Sequence, residues 1–339
     1  MIIFQRDKII PKIAKSKDNS LKYTKIGAGT FGSISSFKSQ GKMYAVKSFT
    51  YSDDPLHLTT IRELKAIMSI KSKYIVEILE IVKENYRIEM VMPFFEYDLH
   101  RLLGIENFTL NDLKCIFWQA LMGVRDIHSA GYLHRDLKTA NILINKNKST
   151  ENNKKLCPPN NTINNDTAYM NAEEVLTRKC IPNINILSIN SQYEAKICDF
   201  GLARPKTNEM TPYVITLWYR SPEVLLGSTT YNKSADIWSL GCILLEMLKK
   251  SPVFKAETEV DMLNLIVEIC GPIDEKSFPG CSKLPMYKKY NIGQGGRRIL
   301  ESFSSKSAEA ADLADKMLAI DPNKRLTAEQ CLEHSFFKT

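Results

Sequence analysis

The run His134-Arg135-Asp136-Leu137-Lys138-Thr139-Ala140-Asn141 places a carboxylate, an ammonium and a side-chain amide within eight residues. Phosphoryl transfer to a hydroxyl calls for that set. Asp136 can accept the proton of an attacking hydroxyl, and Lys138 can steady a γ-phosphate. Asn141 can complete the shell of a Mg²⁺ ion.

Such groups need elements that hold them against a nucleotide. Ile26-Gly27-Ala28-Gly29-Thr30-Phe31-Gly32-Ser33-Ile34 is a G-x-G-x-x-G run between strand-like segments at 21–26 and 33–39. A strand follows the glycines where a Rossmann site has a helix, so the pattern predicts a β-hairpin whose backbone N–H groups can approach phosphates. Tyr44-Ala45-Val46-Lys47 reads as a third strand, and a helix begins near Leu58 with Ile61, Leu64, Ile67 and Met68 on one stripe. Two apolar strands follow, over 74–82 and 86–92. A capped helix starts at Thr109 and keeps apolar residues at 113, 116, 117, 120, 121, 124 and 127, which delivers the Asp136 run. The segment 234–249 is apolar nearly all round, as a central buried helix should be. The last helices, 307–319 and 327–336, carry Ser307 and Thr327 as caps.

Composition sets outer limits. The chain has 339 residues, 44% apolar and 25% charged, with a formal net charge of +8. That is ordinary globular composition with weak attraction for polyanions, ATP included, and no nucleic-acid partner is implied. The eight cysteines form no C-x-x-C pair, so they are expected to be reduced core thiols. No apolar run reaches the 18 residues of a membrane span, and a soluble protein of the nucleus or cytoplasm, with no membrane partner, is expected.

His134-Arg135-Asp136-Leu137 followed by Asn141 resembles the H-R-D-L-x-x-x-N loop of the eukaryotic protein kinases. The resemblance extends over about residues 21–337 and implies a two-lobed α+β fold. In it a small antiparallel β lobe with one main helix (21–92) joins a larger helical lobe (97–337) through a hinge at 93–96. It implies ATP and Mg²⁺ as cofactors. Asp136 and Lys138 are the catalytic pair, and Asn141 and Asp199 of Asp199-Phe200-Gly201 hold the metal. Lys47 holds the α- and β-phosphates with Glu63 as its partner. Ile26 through Ile34, Ala45, Leu143 and Cys198 line the nucleotide, Met92 is the gatekeeper, and the backbone of Pro93 and Phe95 bonds adenine. The Cys198 thiol is expected to be open to alkylation that ATP blocks. Residues 1–20 are expected to be a mobile arm. Asn141 and Asp199 are 58 residues apart where about 15 suffice for a strand, turn and strand. The excess, about 146–192, is rich in Asn, Lys, Ser and Thr and reads as a disordered insertion, with a short helix at 172–178.

Within that group, Thr59-Thr60-Ile61-Arg62-Glu63-Leu64 and Leu217-Trp218-Tyr219-Arg220-Ser221-Pro222-Glu223 resemble the cyclin-dependent branch. The likeness implies a cyclin-like regulatory subunit, an activating kinase, and substrates with Ser-Pro or Thr-Pro read by Ile215 and Arg220. It also implies a regulatory phosphate on Thr211, gathered by Arg62, Arg135 and Arg204. Glu223 is expected to pair with Arg325, and Asp236 to hold the catalytic loop. Thr211-Pro212-Tyr213 has the T-x-Y form of mitogen-activated kinases, which stays open as a second reading. A pseudokinase scaffold is the third, although no catalytic residue is missing. Leu217 favours the first, because the mitogen-activated branch carries Arg there.

Overall fold

The computed structural model describes residues 22–29, 32–50, 58–84, 87–147, 192–205 and 216–338. The arm 1–20, Thr30, Phe31, Thr211, Ile215, the expected helix at 172–178 and all of 148–191 lie outside the described residues, as does the Arg62 side chain.

The chain takes the two-lobed α+β arrangement. A five-stranded sheet has the order β1-β2-β3-β5-β4, formed by β1 (Thr24–Gly29), β2 (Gly32–Ser39), β3 (Lys42–Thr50), β4 (Glu80–Glu84) and β5 (Arg87–Pro93), and every pairing is antiparallel. The glycines sit inside the strands rather than between them, since Gly29 faces Gly32 in the β1–β2 register. Gly32 has a steric reason: a Cβ there would lie 2.2 Å from the Ser48 carbonyl oxygen. In β3 the residues Ala45 and Lys47 share a face, because strand side chains alternate, and Ala45 is paired with Met92.

The expected strand over 74–82 is shorter than its apolar character suggested. Ile75 pairs in parallel with Ile197 of the other lobe, and the Val76 and Ile197 N–H groups donate to the Ile197 and Tyr74 carbonyls, each at 2.9 Å. That clasp draws Tyr74–Val76 out of the sheet and buries all three side chains. Helix α1 (Leu58–Ser69) carries Glu63 toward β3.

In the second lobe α2 (Leu99–Ile105) follows the short strand β6 (Tyr97–Asp98), and α3 (Leu110–Ser129) opens on a capping box between Thr109 and Asp112. The Asp136 run lies between β7 (Tyr132–Leu133) and β8 (Ile142–Lys146), and β8 pairs with β9 (Tyr193–Ile197). Both ends of the expected insertion are seated: Lys146 faces Tyr193, and the Asn147 N–H donates to the Gln192 carbonyl at 2.8 Å. Asp199 follows β9, and β10 (Arg204–Pro205) pairs with β7.

Helix α4 (Pro222–Leu225) leads to α5 (Ser234–Lys249), in which every residue from Ala235 to Leu248 is buried. Around it stand α6 (Glu259–Cys270), α7 (Ile299–Phe303), α8 (Ala308–Met317) and α9 (Ala328–Leu332), with Ser307 and Thr327 as the caps of the last two. Five of the cysteines, at 115, 242, 270, 281 and 331, are buried and free. No helix among the described residues is long and apolar enough to cross a membrane.

Candidate active site

Two polar clusters are tied to one another by His134, which bonds the Cys198 carbonyl beside Asp199. On one side the Lys47 ammonium reaches Glu63 Oε1 at 2.6 Å and Asp199 Oδ1 at 3.0 Å, linking β3, α1 and the loop after β9. Burial pulls the Lys47 ammonium down, but its two carboxylates outweigh that and leave it above its ordinary value. Burial likewise pushes Asp199 up, and Lys47 more than reverses it, so the carboxyl lies below its usual range. Glu63 alone leans the other way, raised by burial that Lys47 only partly offsets. Lys47, shared by two acids, is the charge that favours the ionised form of both. Gly201 is packed against both acids: a Cβ there would come within 3.4 Å of Asp199 Oδ1 and 3.6 Å of Glu63 Oε2.

On the other side is Asp136. Its Oδ2 accepts from Lys138 Nζ at 2.8 Å and Asn141 Nδ2 at 3.1 Å, and Asn141 Nδ2 also bonds the Asp136 carbonyl at 2.7 Å. Its Oδ1 accepts from the Thr216 N–H and Oγ1, both at 3.3 Å, while Lys138 Nζ donates to Thr216 Oγ1 at 3.1 Å. Thr216 is a site residue that sequence reasoning missed, because no spacing rule ties it to Asp136 80 positions away.

The backbone carrying these groups is held from below. Asp236 in α5 accepts the His134 and Arg135 N–H groups at 2.9 Å each, and His128 Nε2 lies 2.9 Å from its Oδ2. Burial would raise the Asp236 carboxyl, yet His128 and the backbone donors bring it below its ordinary value. Arg135 and Asp199 both have left-handed backbones, with φ of 68° and 64°. Such conformations in non-glycine residues cost about 1–3 kcal/mol each and persist where surroundings over-determine them. His134 couples the two runs. Its Nδ1 accepts the Asp136 N–H at 3.2 Å, so Nε2 carries the proton and donates to the Cys198 carbonyl at 3.0 Å, while the ring packs edge-on against Phe200.

The other residues expected around a nucleotide are not enclosed in the core, as far as they are described. Ile26, Ala45, Met92, Pro93, Phe95, Leu143 and Cys198 all retain exposed surface, and the Cys198 N–H donates to the Asn141 carbonyl at 3.0 Å. The open thiol expected at Cys198 is corrected. The residue is partly exposed, but the thiol itself is enclosed, and burial, then the Asp199 charge, push it well above its ordinary value. It is therefore protonated at neutral pH and slow toward electrophiles. Alkylation at pH 7 should leave Cys198 intact long after an exposed thiol has reacted, as peptide mass mapping would read; fast labelling at Cys198 would contradict its enclosure.

Of the regulatory set, Arg135 is buried and donates to the Leu202 carbonyl at 2.7 Å and the Tyr231 hydroxyl at 2.9 Å. Burial raises the Tyr231 hydroxyl, and the charges of Arg135 and then Arg204 both act to lower it. Arg220 bonds Glu259 Oε1 at 2.5 Å, another partner not foreseen. Glu223 and Arg325 form the expected pair through two bonds of 2.8 and 2.7 Å.

Among the described residues no group of three or more His, Cys, Asp and Glu side chains is arranged to hold a metal ion. Mg²⁺ suits such a site, since it commonly binds through one or two protein oxygens together with substrate phosphates. Asn141 fits that need: its Nδ2 is fully used on Asp136, which turns its amide oxygen away as an acceptor.

The chain matches the protein kinase domain family over residues 21–157 and 167–337, and the gap falls inside the expected insertion. It is 36% identical over 316 residues to the probable CTD kinase subunit alpha homolog of Encephalitozoon cuniculi (strain GB-M1), covering 92% of this chain and 82% of that protein. Cyclin-dependent kinase G-2 of Oryza sativa subsp. indica is 32% identical over 343 residues, covering 96% of this chain and 42% of that longer protein. Mitogen-activated protein kinase 13 of Homo sapiens is 32% identical over 328 residues, covering 93% and 77%.

Proposed function

This chain belongs to the protein kinase family as a protein serine/threonine kinase, and from that premise we propose that it uses Asp136 as base to pass the γ-phosphate of ATP to Ser-Pro and Thr-Pro sites of proteins. The observation that carries this is the Asp136 carboxylate, held by Lys138, Asn141 and Thr216 and tied through His134 and the Cys198 carbonyl to the cluster of Lys47, Glu63 and Asp199. Asp136 takes the proton of the acceptor hydroxyl, and Lys138, already beside it, meets the charge that develops on the transferred group. Lys47 holds the nucleotide's phosphates and is itself aimed by Glu63. Asn141 and Asp199 would hold Mg²⁺, which when bound neutralises charge on the β- and γ-phosphates. The kinase domain spans 21–337, with its small lobe over 21–92, hinge over 93–96 and large lobe over 97–337, preceded by the arm 1–20 and interrupted at 146–192.

Likeness to kinases named cyclin-dependent supports a cyclin-like subunit that grips α1 and a role in cell-cycle or transcription control in nucleus or cytoplasm. Steady-state rates on matched Ser-Pro and Ser-Ala peptides test the substrate class; equal rates would sink it.

Activation is assigned to phosphate on Thr211, added by another kinase. The charges of Arg135 and Arg204 both act on Tyr231, and a phosphate of charge about −1.5 to −2 on Thr211 would bond both, with Arg62. Thr211→Ala should therefore lower kcat/KM strongly and Tyr213→Phe only slightly. The 32% likeness to a mitogen-activated kinase keeps dual phosphorylation of Thr211 and Tyr213 as the second reading. A Tyr213→Phe enzyme as damaged as Thr211→Ala would establish it.

A further inference from the structure

The irregular segment after α6 takes no part in phosphate chemistry, yet one of its side chains reaches the substrate side of the site. Glu259, the first residue of α6, has both carboxylate oxygens committed. Oε1 accepts from Arg220 Nη1 at 2.5 Å, and Oε2 accepts from the Tyr290 hydroxyl at 2.5 Å. Tyr290 is brought there by Met286, whose N–H donates to the Leu226 carbonyl at 3.1 Å. Gly227 allows that approach: its φ is 82°, and a Cβ would come within 3.3 Å of Met286 Cγ. The Trp218 indole N–H donates to the Ala256 carbonyl at 2.8 Å, a second tie between the Leu217–Arg220 run and the start of α6.

The Arg220 side chain is only 11% exposed and that of Glu259 25%. A guanidinium this enclosed needs a counter-charge, and its orientation follows that charge, because its donors form a rigid planar fork. We propose that Glu259 and Tyr290 are positioning residues for substrate choice, fixing the face that Arg220 presents to the residue after the phosphorylated Ser or Thr. This rests on Arg220 as part of the +1 pocket. Tyr290 locks the carboxylate and Glu259 locks the guanidinium, so a residue of the irregular segment bears on which peptide is accepted. A purely structural Glu259 would act differently. As an acid in the first turn of α6 it also favours the helix dipole, and losing that role would lower stability and affect every peptide alike.

The test is kcat and KM of the full chain, with its bound partners, on matched Ser-Pro and Ser-Ala peptides for wild type, Glu259→Gln and Tyr290→Phe. Tyr290→Phe removes one hydroxyl and keeps the ring, so it reports even where Glu259→Gln unfolds the chain. The expected result is a fall of about tenfold in the Pro-over-Ala ratio of kcat/KM for Glu259→Gln, carried by a higher KM on the Ser-Pro peptide, and a smaller fall for Tyr290→Phe. A wild-type enzyme indifferent to proline would overturn the +1 assignment of Arg220 itself. A wild-type preference kept intact by both variants would overturn the positioning role alone.

Discussion

Asp136→Asn should lower kcat about 10²–10⁴-fold, the usual worth of a positioned base, while leaving the KM for ATP nearly unchanged. The change keeps shape and removes the carboxylate beside Lys138 and Thr216 that can take a proton from an acceptor hydroxyl. Nucleotide binding should survive, because Lys47, Glu63 and Asp199 form a separate cluster. The fold should survive with a small loss, since an amide can accept on one side but must present N–H groups to the donors on the other. Steady-state kinetics beside a thermal melt separates the outcomes. A higher KM for ATP with kcat intact would make Asp136 a binding residue and leave the base unassigned.

The second large effect falls on stability. The Arg325 side chain is fully enclosed and that of Glu223 is 3% exposed. Beyond its two bonds to Glu223, Arg325 donates to the Ala319, Ser234 and Ile320 carbonyls, and its guanidinium lies 4.9 Å from the Trp238 ring centre. Removing one partner strands the other charge in the interior, which costs about 3–5 kcal/mol. Glu223→Ala is therefore expected to lower Tm by roughly 10 °C. Arg325→Lys should be nearly as damaging, because an ammonium cannot reproduce the bidentate fork. Since the pair joins α4 to the segment before α9, loss of activity on warming should track the melt. A Glu223→Ala melt within a degree or two of wild type would contradict the enclosure of the pair.

Much of this was legible in the sequence because local chemistry announces itself locally. The Thr109–Asp112 box starts α3 where the spacing put it, and the segment 234–249, apolar nearly all round, became the buried α5 with the same ends. The lone Asp236 could be assigned to the catalytic loop backbone only through the family likeness. What stayed hidden were contacts made by chain reversal. Thr216 meets Asp136, Glu259 meets Arg220, and Tyr219 donates to the buried Glu246 at 2.7 Å, and none of these pairs has a periodicity that links it. Tyr74–Val76 misled for a physical reason: an apolar run looks the same whether it pairs within its own sheet or clasps Ile197 across the lobes. The Cys198 thiol misled because position beside Asp199 says where the residue is, while its reactivity depends on enclosure.

The central claim is that the Asp136 and Asp199 runs act as one site for moving phosphate from ATP to a protein hydroxyl. The most direct test supplies ATP labelled in its γ-phosphate, with Mg²⁺, to the purified chain and a Ser/Thr-Pro peptide, comparing wild type with Asp199→Asn. Label should appear on Ser or Thr with wild type and be lost with Asp199→Asn, while that variant still binds ATP in the absence of Mg²⁺. Transfer by Asp199→Asn at the wild-type rate would contradict the account.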